Sequence, residues 1–358
     1  MAQLAAIEKK IGNGRRLTDS EALWLYEHAD IHDLGRLASR VRERKNGNRA
    51  TYVVNRFINY SNICVLNCKF CSFARRKRDA DAFEFTVSEM AELAKKSAAD
   101  GVTEVHIVGG LHPSLPFEYY TGLLRALKHA APALTVKAFS AVEIRHLAGR
   151  VAKKSIRETL TLLRDAGLEA LTGGGAEIFD PAVRDQICGV KDSADEWLEV
   201  HREWHRMGRR STCTMLYGHI ETPAQRIGHL RRLRELQDQT GGFTAFIPYV
   251  FEPANNALAH LRRISALEEL RTLAVSRVYL DNFDHLTAYW ISMGLPLAAV
   301  SLDYGVDDLH GTVIEEKVFH MAGAKTPLAL TVMSLEKVIR EAGREPVQRN
   351  TIYRSLRG

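Results

Sequence analysis

Apolar residues in the first 48 positions recur at helical spacing. Thr18–Glu21 has a hydroxyl residue three positions before a glutamate and precedes the apolar run Ala22–Tyr26, which is typical of a capped helix start. The same period continues from Leu34 to Val41. The pattern predicts a helical N-terminal extension over residues 1–48.

From residue 51 onward, short apolar runs alternate with longer amphipathic stretches. The runs predict strands at Tyr52–Tyr60, Glu104–Val108, Leu134–Ser140, Ala170–Thr172, Thr212–Tyr217, Thr244–Val250, Thr287–Ile291 and, as an eighth, Val300–Leu302. The amphipathic stretches predict helices at Ser88–Ala99, Phe117–Ala130, Ser155–Asp165, Ala194–Met207, Pro223–Gln239 and Ser265–Tyr279. Alternating strands and helices are typical of a parallel sheet covered by helices. We therefore predict an α/β fold, a TIM-type (β/α)8 barrel that is closed or nearly closed, over residues 49–358 including the C-terminal helices.

Three cysteines lie within eight residues, directly after the first predicted strand. Cys64, Cys68 and Cys71 have the spacing C-x3-C-x2-C. A closed 4Fe-4S carrier uses four protein thiolates, and a structural zinc site usually takes four ligands. Three thiolates predict instead a cluster with one iron open to a ligand that is not protein. Cys188 and Cys213 are predicted to be core residues, and the alternative that one of them is a fourth ligand stays open.

Glycines follow two other predicted strands. Gly109-Gly110 follows the second strand and Gly173–Gly175 follows the fourth. In a barrel the carboxyl ends of all strands meet at one rim, where the active site lies. These glycines therefore share a rim with the cysteines. They either make tight turns or let a ligand approach the backbone.

Composition narrows the class of protein. The chain has 358 residues, 46% of them hydrophobic, and no apolar run approaches the length needed to span a bilayer. Charges within the first ten residues argue against a signal peptide. Five cysteines, three of them clustered, do not resemble a disulfide framework. We expect a cytoplasmic protein that does not bind a membrane.

The charge pattern offers one further candidate surface. The net charge is +6, but the basic residues are spread along the chain and form no single stripe, so we expect no nucleic acid partner. The run Arg75–Arg78 directly follows the cysteine segment. It is either an ordinary solvated surface or a docking patch for an acidic reductant such as flavodoxin or ferredoxin.

The cysteine segment, with the aromatic Phe70 directly before the last cysteine, resembles that of the radical S-adenosylmethionine superfamily. The resemblance implies that Cys64, Cys68 and Cys71 hold a 4Fe-4S cluster, and that its open iron chelates the amino and carboxylate groups of S-adenosylmethionine, the cosubstrate. One electron would then break the sulfonium bond and give a 5′-deoxyadenosyl radical. The resemblance also implies that Phe70 contacts the adenine and that Gly109-Gly110 receives the methionine amino group.

Within the superfamily, Asn59–Ile63 and Gly109–Pro113 resemble the branch that contains deazaflavin synthase and the futalosine-pathway enzymes of menaquinone biosynthesis. Four more stretches are most similar to the aminofutalosine synthase family: Lys137–Ile144, Met215–Thr222, Gly241–Pro248 and Glu315–Ala324. The chain departs from the family pattern at Glu252, where a histidine is usual, so no role is carried over to that position.

The resemblance implies a transferase that adds the 5′-deoxyadenosyl radical to the enol-ether double bond of 3-[(1-carboxyvinyl)oxy]benzoate. Rearrangement through the benzoate ring and loss of carboxylate would give 6-amino-6-deoxyfutalosine. Two alternatives from the same superfamily stay open: a dehypoxanthine futalosine cyclase, which would release 5′-deoxyadenosine, and a deazaflavin synthase-type enzyme. A non-enzyme alternative is an iron–sulfur electron-transfer or structural metal-binding protein.

A substrate with two carboxylates and an aromatic ring needs donors and an apolar slot on the rim. His219, after the fifth strand, would donate to a carboxylate or relay a proton. Arg145, after the third strand, is a second carboxylate candidate, and Tyr217 would line the slot for the ring. The structural alternatives are a histidine bonded to backbone and a surface arginine.

Acidic and further histidine residues also follow predicted strands. Glu143 and Glu177 would accept hydrogen bonds from the ribose hydroxyls or from the methionine ammonium. The alternative for each is an ordinary ion pair on the barrel rim. His112 and His320 are the remaining rim candidates.

Overall fold

Three helices begin the chain in the computed structural model, which describes residues 2–356. They are α1 (Ala2–Gly12), α2 (Asp19–His28) and α3 (Ile31–Asn46). The predicted helical N-terminal region is confirmed, and the Thr18 hydroxyl and Glu21 carboxylate form the expected capping box at the start of α2. The predicted domain limits at residues 1 and 358 lie outside the described residues.

Between residues 2 and 356, ten strands form two parallel sheets. The small sheet has the order β10-β1-β9 and contains β1 (Arg49–Val53), β9 (Asp308–Gly311) and β10 (Glu345–Gln348). The large sheet runs in chain order from β2 to β8 and contains β2 (Asn55–Ile58), β3 (Glu104–Ile107), β4 (Thr135–Ala138), β5 (Ala170–Leu171), β6 (Arg210–Tyr217), β7 (Phe243–Val250) and β8 (His285–Leu286). The predicted first strand is therefore divided at Val54 between two sheets.

The remaining helices follow strands of the large sheet or strand β9 of the small sheet. They are α4 (Val87–Ala99), α5 (Phe117–Ala130), α6 (Ala141–His146), a π-helical turn (Leu147–Ala152), α7 (Ile156–Ala166), α8 (Pro181–Cys188), α9 (Ala194–Arg206), α10 (Pro223–Thr240), α11 (Ala266–Tyr279), α12 (Trp290–Met293), α13 (Leu295–Ser301), α14 (Val318–Ala322) and α15 (Val332–Glu341). The six predicted helices correspond to α4, α5, α7, α9, α10 and α11. The α/β class and the parallel topology are thus confirmed.

Two predicted strands are wrong. Most of the predicted strand Thr287–Ile291 lies beyond the end of β8 and runs into helix α12. The predicted strand Val300–Leu302 lies at the end of α13, where the Val300 side chain is 47% exposed. The short apolar run suggested a strand, but Pro296 occupies the first turn of α13, where its fixed φ and missing N–H favour a helix.

Strand β9 and the irregular residues 312–314 after it complete the barrel wall in place of an eighth strand of the large sheet. Residues 308–314 join β8 to β2 through single bridges, from Asp308 to Thr287 and from Ile314 to Arg56. The backbone N–H of Phe57 donates to the Ile314 carbonyl at 2.9 Å. Val313 adopts a φ of 48° in this segment, a left-handed conformation that is unusual for a β-branched residue. The barrel wall is therefore a curled sheet of seven strands, and single bridges alone close it between β8 and β2.

Candidate active site

The three cysteines lie on a loop at the carboxyl end of β2 and line one cavity. This cluster-loop cavity has a volume of about 210 Å³ and is also lined by Phe70, Gly109, Gly110, Glu143, Gly175 and Lys191. Each cysteine is half-buried. Backbone hydrogen bonds fix the loop, from Val65 N–H to the Leu111 carbonyl (3.0 Å) and from Lys69 N–H to the Ile187 carbonyl (2.8 Å).

The cysteine thiols suit a cluster better than a single metal ion. Among residues 2–356, no three His, Cys, Asp or Glu side chains converge closely enough to hold one ion. A cubane binds each cysteine through a different iron atom, so its ligands surround a volume instead of a point. Three thiolates around one cavity fit that requirement.

The two glycines after β3 allow the cluster loop to pack tightly. A Cβ on Gly110 would lie 2.3 Å from the Ile63 carbonyl oxygen, and a Cβ on Gly109 would lie 2.5 Å from the Tyr60 ring. Both N–H groups are already bonded, Gly109 to Glu143 (3.0 Å) and Gly110 to the Ser61 carbonyl (2.9 Å). The glycines line the cavity as predicted, but their contacts are explained first by close approach of two chain segments.

Glu143 organises the floor of the cluster-loop cavity. Its carboxylate accepts from the Tyr60 hydroxyl (2.9 Å), from Gly109 N–H, and from the Ser140 N–H and hydroxyl (both 2.7 Å). Burial raises the pKa of Glu143, and these four donors oppose that rise. The Ser140 contacts form a capping box at the start of α6. Glu143 therefore connects β2, β3 and α6 beneath the cysteines.

Lys191 is a cation that the sequence did not reveal. Its ammonium forms an ion pair with Glu177 and lies 5.4 Å from the centroid of the Phe70 ring. Burial would lower the pKa of Lys191, but Glu177 and the nearby thiols of Cys68 and Cys188 outweigh burial and hold that pKa above its usual value. Among the residues that the structure describes, Lys191 is the single Lys or Arg that lines the cluster-loop cavity, and none lines the adjoining cavity described next. It lies in the loop between α8 and α9, where no local pattern marks it.

A second inner cavity adjoins the first. This aromatic cavity has a volume of about 180 Å³ and is lined by Phe70, Cys71, Glu177, Thr214, Leu216, Tyr249, Phe251, Glu252, Phe319 and Ala322. Tyr249, Phe251 and Phe319 were not predicted. Strand periodicity could have found Tyr249, because successive side chains of β7 alternate between the barrel interior and the helices. A larger cavity of about 540 Å³ lies beside α4, and no cysteine lines it.

The three predicted catalytic side chains do not line either inner cavity. Tyr217 is fully buried, and its ring lies 5.2 Å from the Arg226 guanidinium. Thr214 and Leu216 of the same strand face the aromatic cavity, so Tyr217 points the other way. Arg145 forms ion pairs with Asp192 (3.0 Å) and with Glu196.

His219 belongs to a buried turn after β6. Its Nε2 lies 3.1 Å from the Leu216 carbonyl oxygen, and its Nδ1 lies 2.9 Å from Glu221. Glu221 also accepts from Gly218 N–H (2.6 Å) and from Arg226 (2.7 Å). Although burial raises the pKa of Glu221, the contacts with His219 and Arg226 lower it to about 2. His219 thus has local partners that account for its position.

The two other rim histidines also have local partners. His112 Nδ1 accepts from the N–H groups of Ser114 (3.2 Å) and Leu115 (3.1 Å). His320 on α14 lies 2.7 Å from the Glu316 carbonyl oxygen. Its Nδ1 also lies 3.1 Å from the Glu316 carboxylate, and this side-chain contact is the main cause that raises the pKa of His320 to about 9. Both residues stabilise turns around the rim.

Cys188 and Cys213 are buried, as predicted for core residues. Cys213 faces the Ala245 carbonyl oxygen, with Sγ at 3.6 Å. Cys188 ends α8, and the carbonyl of the preceding Ile187 accepts from Lys69 N–H of the cluster loop at 2.8 Å. The fourth cysteine is therefore next to the cluster loop, which its sequence position did not indicate.

The basic run borders the outer side of the cluster loop. A cavity of about 260 Å³ is lined by all three loop cysteines together with Lys69, Arg75 and Arg76. Arg75 pairs with Asp81 at 2.7 Å, and Arg76 donates to the Cys64 carbonyl. Lys77 and Arg78 are exposed. A surface of positive charge thus lies against the cysteines from outside.

A parallel barrel with a three-cysteine loop after its first strand defines a class, and comparison with known proteins identifies it. Residues 58–233 match the model of the radical SAM superfamily, and residues 240–357 match the CofH/MqnC C-terminal region. The chain belongs to the radical SAM superfamily. It is 46% identical to aminodeoxyfutalosine synthase of Thermus thermophilus, covering 99% of this chain and 96% of that protein.

A second relative has the same name, and a third is named for a different reaction. The chain is 43% identical to aminodeoxyfutalosine synthase of Streptomyces coelicolor, over 98% of this chain and 93% of that one. It is 39% identical to cyclic dehypoxanthine futalosine synthase of the same organism, over 99% of this chain and 89% of that protein. The fold matches methylornithine synthase (PylB) with a TM-score of 0.75, 20% identity, and coverage of 95% and 97% of the two chains. No helix between residues 2 and 356 has the length and apolarity needed to cross a bilayer.

Proposed function

We propose that this protein catalyses the aminodeoxyfutalosine synthase reaction. It would join the 5′-deoxyadenosyl group of S-adenosylmethionine to 3-[(1-carboxyvinyl)oxy]benzoate, with rearrangement and decarboxylation, giving 6-amino-6-deoxyfutalosine for menaquinone biosynthesis. The observation that carries the proposal is the 46% identity over 99% of this chain to the Thermus thermophilus enzyme. Identity to the cyclase is lower, at 39%.

Cys64, Cys68 and Cys71 would hold a 4Fe-4S cluster. When bound, that cluster supplies the electron that cleaves S-adenosylmethionine to methionine and the 5′-deoxyadenosyl radical. The cysteine loop, Gly110 and Phe70 surround the cluster-loop cavity with mostly apolar surface. Such a lining limits water near a reactive carbon radical. The protein would contribute binding, orientation and shielding.

Lys191 is the proposed partner of a ligand carboxylate. An ammonium has three N–H donors, so Lys191 can keep Glu177 while donating to a second anion. It lines the same cavity as the three cysteines, which favours the methionine carboxylate of S-adenosylmethionine. A carboxylate of the enol-ether substrate is the alternative acceptor for the Lys191 ammonium. Binding measurements with each ligand separately would distinguish the two.

The aromatic cavity would bind flat rings. Phe70 lines both inner cavities, which suits the predicted contact with adenine at their junction. Tyr249 and Phe319, whose ring centroids are 5.5 Å apart, offer apolar faces for the benzoate ring. Glu177 can accept from ribose hydroxyls at the same junction. We assign substrate binding to this cavity in place of Arg145, Tyr217 and His219.

A flavodoxin or ferredoxin would supply the electron at the outer side of the cluster loop. Lys77, Arg78 and Arg76 are exposed there, next to a cavity that the cysteines line. Basic charge steers an acidic partner to the surface from which the cysteines are accessible.

The test is a product analysis of the reconstituted protein under anaerobic conditions. Protein, dithionite, S-adenosylmethionine and the enol-ether benzoate are incubated together and analysed by mass spectrometry. The proposal expects an adenine-containing product that has gained the carbons of the benzoate substrate. Release of 5′-deoxyadenosine with dehypoxanthine futalosine as substrate, and no coupling with the benzoate, would favour the cyclase. Absence of methionine formation with any substrate would overturn both.

A further inference from the structure

Arg184 is a buried arginine on α8 that connects two loops of the candidate site. Its side chain belongs to the fourth residue of the helix, and the residue is 5% exposed. One terminal nitrogen donates to the carbonyls of Ala176 and Ile178, the latter at 3.1 Å, and the other donates to the Asp192 carbonyl. These three acceptors are all backbone oxygens. The guanidinium therefore bridges residues 176–178 and the loop between α8 and α9.

The two bridged segments carry the two partners of the buried ion pair. The residues on either side of Glu177 supply two of the carbonyls that accept from Arg184, and Asp192 directly follows Lys191. Glu177 has a φ of 49°, a left-handed conformation that persists only where the surroundings fix it. Its own carbonyl accepts from Leu216 N–H at 2.9 Å. Three successive carbonyls around Glu177 are thus bonded, two of them by one side chain.

Helix α8 also contacts the cluster loop. The Ile187 carbonyl, one turn beyond Arg184, is the acceptor for Lys69 N–H. The loop after the helix is fixed from a second direction, because Arg145 pairs with the Asp192 carboxylate at 3.0 Å. One short helix therefore sets the position of the cluster loop relative to both partners of the ion pair.

We infer that Arg184 is a positioning residue that holds the Lys191 ammonium toward the carboxylate of S-adenosylmethionine. The inference rests on the proposed function, in which Lys191 binds that carboxylate. A lysine ammonium is a point charge on a flexible stem, so its position depends on how firmly its loop and its ion-pair partner are held. The planar guanidinium has five donors in a fixed fork and can bridge two backbone segments at once. Arg184 lines neither the cluster-loop cavity nor the aromatic cavity, so it acts through Lys191.

The test is calorimetric titration of the reconstituted protein, with its cluster oxidised, by S-adenosylmethionine and separately by decarboxylated S-adenosylmethionine. Arg184→Met removes the bridge and keeps much of the side-chain volume. We expect this variant to bind S-adenosylmethionine roughly tenfold more weakly than wild type does. Its affinity for the decarboxylated analogue should not change, because that analogue offers Lys191 no carboxylate. A general loosening of the site would weaken both ligands equally.

Arg42→Met is the matched control. Arg42 is also fully buried, and its guanidinium donates to the carbonyls of Gly47 (2.9 Å) and Arg49 (2.7 Å) at the start of β1. This variant should lose thermal stability and keep the wild-type affinity for both ligands. If Arg184→Met does not fold, Arg184→Lys provides the same comparison with an expected loss of roughly threefold, since an ammonium cannot span both segments.

A combined variant tests whether Arg184 acts through Lys191. Once Lys191→Met and Glu177→Gln are present, adding Arg184→Met should cause no further loss of affinity for S-adenosylmethionine. A full additional loss there would overturn the inference. Unchanged affinity in Arg184→Met alone, or an equal loss for both ligands, would overturn it as well. If the wild type shows the expected binding but forms no coupled product with the benzoate, the proposed reaction fails while the titrations still decide the inference.

Discussion

Lys191 and Glu177 form a buried ion pair at the boundary between the cluster-loop cavity and the aromatic cavity. Their side chains are 10% and 11% exposed. Removing one partner of such a pair leaves an uncompensated buried charge, whereas removing both can be nearly neutral. This asymmetry separates the contribution of Lys191 to stability from its contribution to ligand binding.

Lys191→Met should destabilise the fold by about 3 kcal/mol, because Glu177 is left alone. Lys191→Met combined with Glu177→Gln should recover most of that stability. Both variants should bind S-adenosylmethionine roughly 30-fold more weakly, about 2 kcal/mol, because the carboxylate donor is lost. Thermal denaturation and calorimetric titration give the two quantities. Normal binding by the stable double variant would remove the proposed role.

Gly110→Ala should prevent correct assembly of the cluster loop. Its Cβ would lie 2.3 Å from the Ile63 carbonyl oxygen, a backbone atom, so the loop must move, at a cost of about 1–3 kcal/mol. We expect iron content after reconstitution to fall well below that of wild type. Gly174→Ala is the matched control, because its nearest neighbour would be Ser140 Cβ at 3.8 Å. Equal iron content in both variants would contradict the steric explanation.

His219→Ala should lower stability and leave product formation intact. The substitution removes the contact with the Leu216 carbonyl and one partner of Glu221, which together contribute about 1–2 kcal/mol. The apparent Tm should fall, while the ratio of coupled product to 5′-deoxyadenosine stays at the wild-type value. A stable variant that cleaves S-adenosylmethionine but no longer couples it to the benzoate would restore a catalytic role for His219.

Glu221 should contribute a pH-dependent part of the stability. Its folded-state pKa of about 2 lies below the ordinary value of 4.5, so its stabilisation is present above pH 4.5 and is lost as pH falls toward 2. The largest contribution is roughly 3 kcal/mol. The difference in apparent Tm between wild type and Glu221→Gln should therefore shrink across this range. A difference that stays constant from pH 5 to pH 2.5 would show that ionisation of Glu221 does not contribute.

Reversal of two exposed charges, Lys77→Glu with Arg78→Glu, should slow reduction by flavodoxin at least tenfold at low salt and leave reduction by dithionite unchanged. The physical reason is loss of electrostatic steering, so the effect should decrease as ionic strength rises. Lys9→Glu with Arg15→Glu is the matched control on the exposed N-terminal region. Equal flavodoxin rates in the two double variants would exclude a docking role for the basic run.

Candidate site residues could be predicted from the sequence where they lie close together along the chain. Cys64, Cys68 and Cys71 lie on one loop, and Gly110 could be placed beside them because parallel strands end at one rim. The α/β class could be predicted because short apolar runs typical of strands alternate along the chain with stretches of helical periodicity. Lys191 could not be found this way, since its importance comes from the approach of a loop after α8 to a loop after β2.

Position at a strand end was not enough to orient a side chain. Tyr217 follows Leu216 in β6, and successive side chains of a strand point to opposite faces of the sheet. Because Leu216 lines the aromatic cavity, the Tyr217 side chain points away from that cavity. Arg145 lies after a strand, but its acidic partners come from the segment around α9, which is distant in sequence. Such charge pairings depend on helix packing, which hydrophobic periodicity does not specify.

The partly bonded closure of the barrel has a consequence for the order in which the protein forms. The first six units of strand and helix leave a ribosome long before residues 308–314, so β2 remains an unpaired edge until the last part of the chain is synthesised. Exposed strand edges promote aggregation. The cysteine loop lies at that same edge, since Cys64 is six residues beyond the end of β2. The nascent chain therefore exposes its three loop cysteines beside an unpaired strand edge until the last part of the chain is synthesised.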